Sequence, residues 1–177
     1  MQCGNCGAPA RLDHERGLIV CDYCGTEAVP PAGEDGVQVL DVAGLSCPAC
    51  HSVLSEGRLS GFNLLYCESC RGMLVGMDTF MPLVETLRGY RTGSSAVLSR
   101  RDDDAVKPRN CPRCNGPMDH HPYGGGGNVF IDTCEPCAAN WLDKGELQRI
   151  VAAPDHVPYA PLYSNHDDDG DSDRRGG

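Results

Sequence analysis

The chain has 177 residues, a formal net charge of -10 and only 6% aromatic residues, together with 22 glycines and 13 prolines. This composition leaves too little apolar material for one large core, so it favours several small units. No apolar run reaches the roughly 18 residues of a membrane-spanning helix, and the negative charge opposes binding to duplex nucleic acid by the chain as a whole.

A cysteine pair begins directly after Met1 and Gln2, where a signal peptide would carry apolar residues. We therefore expect a cytoplasmic protein. In that reducing compartment, paired cysteines are more typical of metal sites than of disulfides.

The cysteines follow one pattern that is repeated three times. All twelve belong to six C-x-x-C pairs, and spacers of 14, 16 and 19 residues separate the two pairs of each repeat. A C-x-x-C turn directs two sulfurs at one metal ion, and a spacer of about 15 to 20 residues has room for a hairpin that brings the second pair opposite. The predicted ligand sets are Cys3, Cys6, Cys21 and Cys24; Cys47, Cys50, Cys67 and Cys70; and Cys111, Cys114, Cys134 and Cys137.

Each repeat is too short to fold on apolar packing alone. Units of about 25 to 40 residues lie below the size at which a hydrophobic core usually suffices, whereas structural zinc contributes about 10 to 16 kcal/mol to folding. We predict three tandem zinc ribbons, which are β-hairpins with paired C-x-x-C knuckles, the second and third each followed by a short helix. Three zinc ions follow, and the sequence indicates no catalytic residue and no organic cofactor.

Paired cysteines also occur in three other kinds of site. Rubredoxin-like iron has the same four-thiolate shell, although its ligand pairs lie farther apart. A thioredoxin-like redox motif needs one C-x-x-C at a helix start, and the repetition argues against it. In a treble clef, Cys134 and Cys137 would lie in the first turn of a helix, but the helix-start signals at Asp143 favour a ribbon.

The spacers resemble hairpins, and helices are predicted after the second and third. In the second unit the helix is expected over residues 78–88, shorter or shifted because Pro82 removes an amide donor. In the third, Asp143 and Glu146 predict a capping box, and Leu142 with Leu147 predicts a hydrophobic staple. We expect this third helix and the adjacent Trp141 to pack on the third hairpin.

The third unit resembles a known family over residues 110–151. The matching residues are Cys111-Pro-Arg-Cys114, Met118, Ile131-Asp132, Cys134, Cys137, Trp141-Leu-Asp143 and Gly145-Glu-Leu147. They are similar to the bacterial zinc-ribbon family named after the zinc finger of transcription factor IIB. The resemblance implies that the four cysteines of this unit bind zinc.

The match varies among the units and within the third. Ala138 and Ala139 stand where the family usually has glycines, so a different backbone conformation is expected there. The second unit, residues 46–88, resembles a divergent copy, in which Leu74 takes the position of Trp141. The first unit resembles a generic short zinc ribbon.

The predicted organisation follows from composition. It is ribbon 1 at residues 1–29, a linker at 30–45 to which residues 37–40 can add a strand, ribbon 2 with its helix at 46–88, a flexible linker at 89–109, ribbon 3 with its helix at 110–153, and a disordered acidic tail at 154–177. Residues 88–113 hold seven of the fifteen basic residues against three aspartates, which we interpret as a solvated linker, with weak contact to nucleic acid or an acidic protein as the alternative.

Three local features have ordinary interpretations. His120 and His121 are predicted as exposed loop histidines because the third cysteine set is already complete. Gly124 to Gly127 is predicted as a mobile hairpin tip, since neither a Lys-Ser/Thr pair nor a helix follows. The run from Asp167 to Asp173 lacks the closing glutamate of a calcium loop.

The functional expectation rests on closed metal shells and on the lack of a convergent acid, base or nucleophile. We expect a non-enzymatic adaptor that binds protein partners and no membrane; the sequence identifies neither the partner nor the oligomeric state. The alternatives are a transcription-related nucleic-acid-binding protein and a thiol-based zinc or redox sensor, since bound thiolates can be oxidised with release of metal.

Overall fold

A computed structural model describes residues 1–90, 108–123 and 129–153. Most of the basic linker, the glycine-rich hairpin tip and the acidic tail lie outside the described residues. Within the described ranges, no helix has the length and apolar content needed to cross a membrane.

The first ribbon is a three-stranded antiparallel sheet. Its strands are β1 (Arg11–Asp13), β2 (Leu18–Val20) and β3 (Glu27–Ala28), in that order. Leu12 pairs with Ile19 across the hairpin, and β3 returns to β2 after the second knuckle. The third strand is an addition to the predicted hairpin.

The rest of the described chain forms a second, larger sheet with two helices. Its elements are β4 (Gln38–Ser46), β5 (Val53–Leu59), β6 (Phe62–Tyr66), β7 (Met73–Gly76), α1 (Met77–Gly89), β8 (Asp119–Pro122), β9 (Phe130–Cys134), β10 (Ala139–Leu142) and α2 (Glu146–Ala152). Ribbon 2 contributes β5, β6 and β7, and ribbon 3 contributes β8, β9 and β10. Both ribbons thus repeat the three-stranded plan of the first.

These strands make one seven-stranded sheet in the order β4-β5-β6-β7-β10-β9-β8. Ribbons 2 and 3 meet where β7 pairs antiparallel with β10, and Leu74 lies opposite Trp141. An unpaired outer strand exposes a row of amide and carbonyl groups, so this pairing covers one edge of each ribbon at once. Backbone pairing therefore joins the two ribbons into one sheet, a relationship that cysteine spacing does not reveal.

Two apolar clusters occupy the opposite faces of this sheet. On the helix face, Met73 and Val75 of β7 join the buried sides of both helices. On the metal face, Leu74 and Trp141 pack with cysteines of ribbons 2 and 3. The division follows from strand geometry, since successive side chains point to opposite faces. The buried side of α2 shares a cluster with Val129 and Ile131 of the third hairpin, as expected, but Trp141 lies on the opposite face, so its expected place beside the helix was wrong.

Each helix reaches across to the other ribbon. The ring of Phe80 on α1 makes an edge contact with Tyr123 of ribbon 3, with centroids 5.7 Å apart. On α2, Leu147 and Val151 line a groove together with Leu59 of ribbon 2. The helices also contact each other, and Arg88 Nη2 donates to the carbonyl of Ile150 at 3.0 Å. The helix face consequently belongs to both ribbons.

Helix α1 covers the predicted residues 78–88 and extends one residue beyond them at each end. It was expected to be shorter or shifted because of Pro82; it is longer than α2, with 13 residues against 7, and it begins closer to the last cysteine of its ribbon. Proline adopts helical φ and lacks only one amide donor. The buried side chains of Phe80, Leu83 and Val84 hold the helix on the sheet in spite of that missing bond.

Helix α2 begins later than its capping signals predict. It starts at Glu146 after Gly145, whose φ is 86°, and no side chain caps it. Half of the predicted capping box forms, because Glu146 Oε2 accepts the backbone N–H of Asp143 at 2.7 Å. The carboxylate of Asp143 does not cap α2, because it has other partners near the metal site.

Strand β4 lies at the ribbon 2 edge of the sheet; apart from Ser46 it falls in the predicted linker, where residues 37–40 were expected to add a strand. The first ribbon contacts the adjacent β5 through Arg58, whose Nη1 donates to the carbonyl of Arg16 at 2.8 Å. The contact requires a glycine at position 17, since a Cβ there would lie 2.2 Å from that Nη1 atom. Arg58 and the glycine at position 17 thus hold ribbon 1 against the larger sheet, together with His14, whose ring nitrogens lie 3.8 Å from Asp41 and 3.9 Å from Glu56.

Candidate metal centres

The structure brings the twelve cysteines together as three separate quartets. Within each quartet all ligand atoms lie within 4.8 Å of one another. The quartets are the three predicted sets: Cys3, Cys6, Cys21 and Cys24; Cys47, Cys50, Cys67 and Cys70; Cys111, Cys114, Cys134 and Cys137. No site mixes cysteines from two ribbons.

Sulfur separations identify the kind of site. The Sγ atoms of Cys3 and Cys24 are 3.7 Å apart, and those of Cys50 and Cys67 are 3.4 Å apart. In ribbon 3 the Sγ atoms of Cys114 and Cys134 are 3.6 Å apart. A disulfide requires about 2.05 Å, whereas a tetrahedron with Zn–S bonds of about 2.3 Å has edges of about 3.8 Å. The quartets therefore fit zinc, and the chain has sites for three zinc ions.

Backbone turns hold the knuckles open toward the metal. In ribbon 2 the N–H of His51 donates to the carbonyl of Cys47 at 2.9 Å, and the N–H of Cys47 donates to the carbonyl of Ser52 at 2.8 Å. The N–H of Ala49, inside the turn, points at the sulfur of Cys47 at 3.4 Å. Such N–H···S contacts favour the thiolate form that binds metal.

The residue after the second cysteine of every knuckle has a positive φ. These residues and angles are Gly7 at 74°, Gly25 at 69°, His51 at 63°, Arg71 at 64°, Asn115 at 57° and Ala138 at 47°. The left-handed conformation turns the chain out of the knuckle, and it costs a non-glycine residue about 1–2 kcal/mol. Ribbon 1 avoids the cost with glycines, and ribbons 2 and 3 do not.

Ala138 shows that the expected change of conformation at this exit does not occur. It stands where a glycine was expected, yet its φ is still positive. Its carbonyl accepts the N–H of Met77 at 2.8 Å, across the junction between ribbons. The exit from the last knuckle is therefore tied to the start of α1, and the alanine is held in a left-handed conformation.

Each quartet contains at least one thiol whose pKa is lowered by its surroundings, and in ribbon 1 the pKa of Cys3 is lowered as well as that of Cys24. The hydroxyl and amide of Thr26 lower the pKa of Cys24 to about 6, and those of Ser52 do the same for Cys50. The amide of Gly116 lowers the pKa of Cys114 to about 7. A thiolate is thus available at neutral pH to receive the metal, and the remaining thiols lose their protons as the metal binds.

The cysteines differ in exposure in a regular way. The first cysteine of each pair is buried, whereas the second is exposed or partly exposed. In ribbons 2 and 3 the buried cysteines Cys47, Cys67, Cys111 and Cys134 join the apolar cluster on the metal face. Each centre is therefore packed against the sheet on one side and accessible on the other.

A buried ionic network supports the third centre. Arg109, with a side chain only 9% exposed, donates to Asp132 at 2.8 Å and to Asp143 at 2.6 Å. Trp141 Nε1 donates to the same Asp143 at 3.0 Å, and His120 Nδ1 donates to Asp132 at 2.8 Å. The network ties together both sides of the hairpin and the strand that leads to α2. The family motif residues Asp132, Trp141 and Asp143 thus have a structural role here.

Two of these residues were misjudged from the sequence. Arg109 was assigned to the flexible linker, although it is the cation that neutralises both aspartates. His120 was expected in an exposed loop, but it lies on β8 with a side chain 15% exposed. His121 is also on β8, where its Nε2 bonds to Thr133 Oγ1 at 2.9 Å. Polar residues on a short edge strand offer no periodic signal by which to find them.

A second ionic contact fixes the segment before β4. Arg71, the exit residue of the last knuckle in ribbon 2, pairs with Asp35. Tyr66 Oη donates to the same carboxylate at 2.8 Å. The hydrogen bonds from Arg71 hold the pKa of Asp35 below its ordinary value. The predicted linker is thereby fastened to ribbon 2, which composition alone did not indicate.

Comparisons with known proteins agree with this geometry. The model of the transcription factor zinc-finger family matches residues 46–85 and 110–153, and each matched segment contains one complete cysteine quartet. The searches of curated proteins and of solved structures found no match. With their knuckles, three-stranded sheets and following helices, residues 46–85 and 110–153 are two zinc ribbons of the transcription factor zinc-finger family, of the TFIIB type.

Proposed function

We propose that this zinc-binding protein is a non-enzymatic adaptor, whose zinc ribbons present a fixed surface to protein partners. The observation that carries the proposal is that each described metal site has four cysteine sulfurs within 4.8 Å of one another. Four thiolates complete the tetrahedral shell of zinc, and catalytic zinc instead keeps a position for water or substrate. Such sites stabilise a fold and leave recognition to the surface around them.

The surface of the described residues supports contact with proteins. Several large apolar side chains are strongly exposed, including Tyr23 at 83%, Tyr90 at 75% and Val42 at 68%. Aromatic residues and methionine are enriched in protein interfaces, where they provide contact area at low entropic cost. Of these residues, Val42 lies on β4 of the shared sheet, which would hold its contact in a fixed position.

Affinity capture followed by crosslinking tests the adaptor proposal. The zinc-loaded full chain is used as bait in a nuclease-treated lysate of the source cells, and the Cys67→Ser variant is the matched control. We expect specific partners with the loaded chain that are lost in the control, together with crosslinks from partner to ribbon. Capture of no specific partner, or equal capture by both baits, contradicts the proposal.

Binding of nucleic acid is the second candidate, and the family description favours it, since both matched segments fall in a transcription factor zinc-finger family. The net charge of -10 opposes it. Fluorescence anisotropy with labelled single- and double-stranded DNA and RNA at about 50 mM and 150 mM salt decides between the two. Binding that weakens steeply with salt supports this second candidate, and no binding at the lower salt contradicts it.

A further inference from the structure

A cleft of about 540 Å³ separates the first knuckle of ribbon 2 from that of ribbon 3. Its lining includes Ser46, Pro48, His51, Asn110, Pro112 and Asn115. The volume lies within the range of roughly 300–1,000 Å³ that is usual for binding sites. The family match covers both ribbons but assigns no role to this space between them.

The two walls of the cleft are built from equivalent residues. Pro48 and Pro112 each follow the first cysteine of a knuckle, and His51 and Asn115 each follow the second. His51 and Asn115 have φ values of 63° and 57°, so the same left-handed turn occurs on both sides. The walls therefore present apolar proline rings together with exposed polar side chains.

The charge around the cleft is negative once metal is bound. Four thiolates and one Zn²⁺ carry about two negative charges, and one such centre lies in each wall. Arg109 contributes no free positive charge, because it contacts both Asp132 and Asp143. Arg113 lines a different groove, together with Glu56. The cleft is thus suited to a cationic ligand.

We propose that this cleft binds an extended basic segment of a partner protein. Lysine or arginine side chains would be attracted by the negative charge of the two thiolate centres, whose Cys47 and Cys111 line the cleft. Apolar side chains between them would pack on the proline rings. The proposal rests on the adaptor function and names the chemistry of its partner.

Mapping by NMR tests the proposal with a defined probe. The zinc-loaded, ¹⁵N-labelled full chain is titrated with a decapeptide of alternating lysine and valine, and in parallel with one of alternating glutamate and valine. We expect the lysine peptide to shift amide resonances mainly in residues 44–51 and 109–115, and the glutamate peptide to cause no shift there. No saturable shift, shifts spread over the whole acidic surface, or equal shifts with both peptides would overturn the proposal.

A charge substitution gives a second measurement. Ser46→Lys adds a positive charge to the exposed rim, and Val29→Lys adds the same charge to ribbon 1, at a side chain 61% exposed. Repulsion between the added lysine and one lysine of the peptide at contact distance corresponds to about a fivefold loss of affinity for the peptide. We expect this loss only for Ser46→Lys, and an equal affinity in the two variants contradicts the assignment.

Two controls separate the possible failures. A ten-nucleotide single-stranded DNA that shifts the cleft resonances as strongly as the lysine peptide would overturn the choice of a peptide ligand. Protein partners that crosslink elsewhere while the cleft stays unperturbed would overturn this inference and leave the adaptor function standing. Because the peptide mapping uses the unaltered chain, it remains decisive even if Ser46→Lys fails to fold.

Discussion

Leu74 of β7 and Trp141 of β10 lie directly opposite each other where the two ribbons meet. Each stands four residues after the last cysteine of its own ribbon, which is Cys70 or Cys137. Equivalent positions that pair with each other lie on an approximate two-fold axis, as in the isologous interface of a homodimer. The chain therefore contains, within one polypeptide, an interface like that between two copies of one subunit.

This pairing predicts that the metal sites of ribbons 2 and 3 are coupled. Cys67 and Trp141 belong to the same apolar cluster, and both are completely buried. We expect Cys67→Ser to remove the zinc of ribbon 2 and to shift the fluorescence of Trp141, the only tryptophan, toward longer wavelength. Native mass spectrometry and emission spectra measure the two effects.

The matched control is Cys3→Ser in the first ribbon. That ribbon forms its own sheet and contacts β5 through Arg58. The control should lose one zinc ion and leave the emission of Trp141 unchanged. Equal spectral changes in the two variants, or an unchanged spectrum in Cys67→Ser, would show that the ribbons are not coupled as the pairing indicates.

A second prediction concerns the contact that α1 makes with ribbon 3 across the junction. Phe80 is 4% exposed and meets Tyr123 of the other ribbon. We expect Phe80→Ala to lower the free energy of unfolding by about 3–5 kcal/mol, because it removes a buried ring and leaves a cavity. Tyr90, 75% exposed at the end of α1, is the control, and Tyr90→Ala should cost less than about 0.5 kcal/mol. Urea unfolding at fixed free zinc measures both, and similar values would contradict the packing.

The sequence predicts the metal sites well because four thiols at regular spacing have few other uses. It also predicts the buried face of α1, since Phe80, Leu83 and Val84 keep a helical period. It did not predict the pairing of β7 with β10, because Leu74 and Trp141 are far apart in the chain and short strands carry weak signals. Long-range pairing depends on edges that become available only after each ribbon has folded.

The ionic network was missed for a related reason. Arg109 forms ion pairs with Asp132 and Asp143, which lie 23 and 34 residues away in sequence. Composition assigns an arginine beside Pro108 to a linker, and only the folded hairpin shows that two carboxylates converge on it. The predicted capping box failed in part for the same reason, since Asp143 binds Arg109 and Trp141 in preference to the helix end.

A third prediction follows from the left-handed conformation of Ala138. Ala138→Gly removes a backbone strain of about 1–2 kcal/mol, and the greater freedom of glycine in the unfolded chain offsets about 0.4–1 kcal/mol of that gain. We therefore expect the free energy of unfolding to rise by up to about 1.5 kcal/mol. Ala139→Gly is the neighbouring control. Ala139 is buried in β10 with 0% exposure, so this substitution should lower the free energy of unfolding. Destabilisation by both substitutions would mean that Ala138 is not strained.

A fourth prediction tests the network beside the third centre. Arg109→Met leaves two carboxylates without their cation, and Asp132 is 4% exposed. Removing one member of a buried pair costs about 3–5 kcal/mol. Arg113→Met, at an exposed position of the same knuckle, should cost less than about 0.5 kcal/mol. Urea unfolding at fixed free zinc compares the two, and a cost below about 1 kcal/mol for Arg109→Met would contradict the role assigned to it.

The last prediction concerns pH and Glu146. Burial, followed by the nearby carboxylates of Asp143 and Asp132, raises the pKa of Glu146 from 4.5 to about 7, against the opposing effects of the hydrogen bond from the Asp143 N–H and of Arg109. The folded chain therefore binds this proton more tightly than the unfolded chain does, so the resulting stability is fully present below pH 4.5 and is lost as pH rises through about 7.

Glu146→Gln stays neutral and can still accept the N–H of Asp143. We expect the variant to be more stable than the wild type at pH 8, by on the order of 2 kcal/mol, with the difference shrinking to near zero at pH 5. Zinc affinity also changes with pH in both chains, so the informative quantity is their difference at saturating zinc, measured by urea unfolding from pH 5 to 8. A difference that does not depend on pH would show that Glu146 is ionised in the folded protein over this whole range.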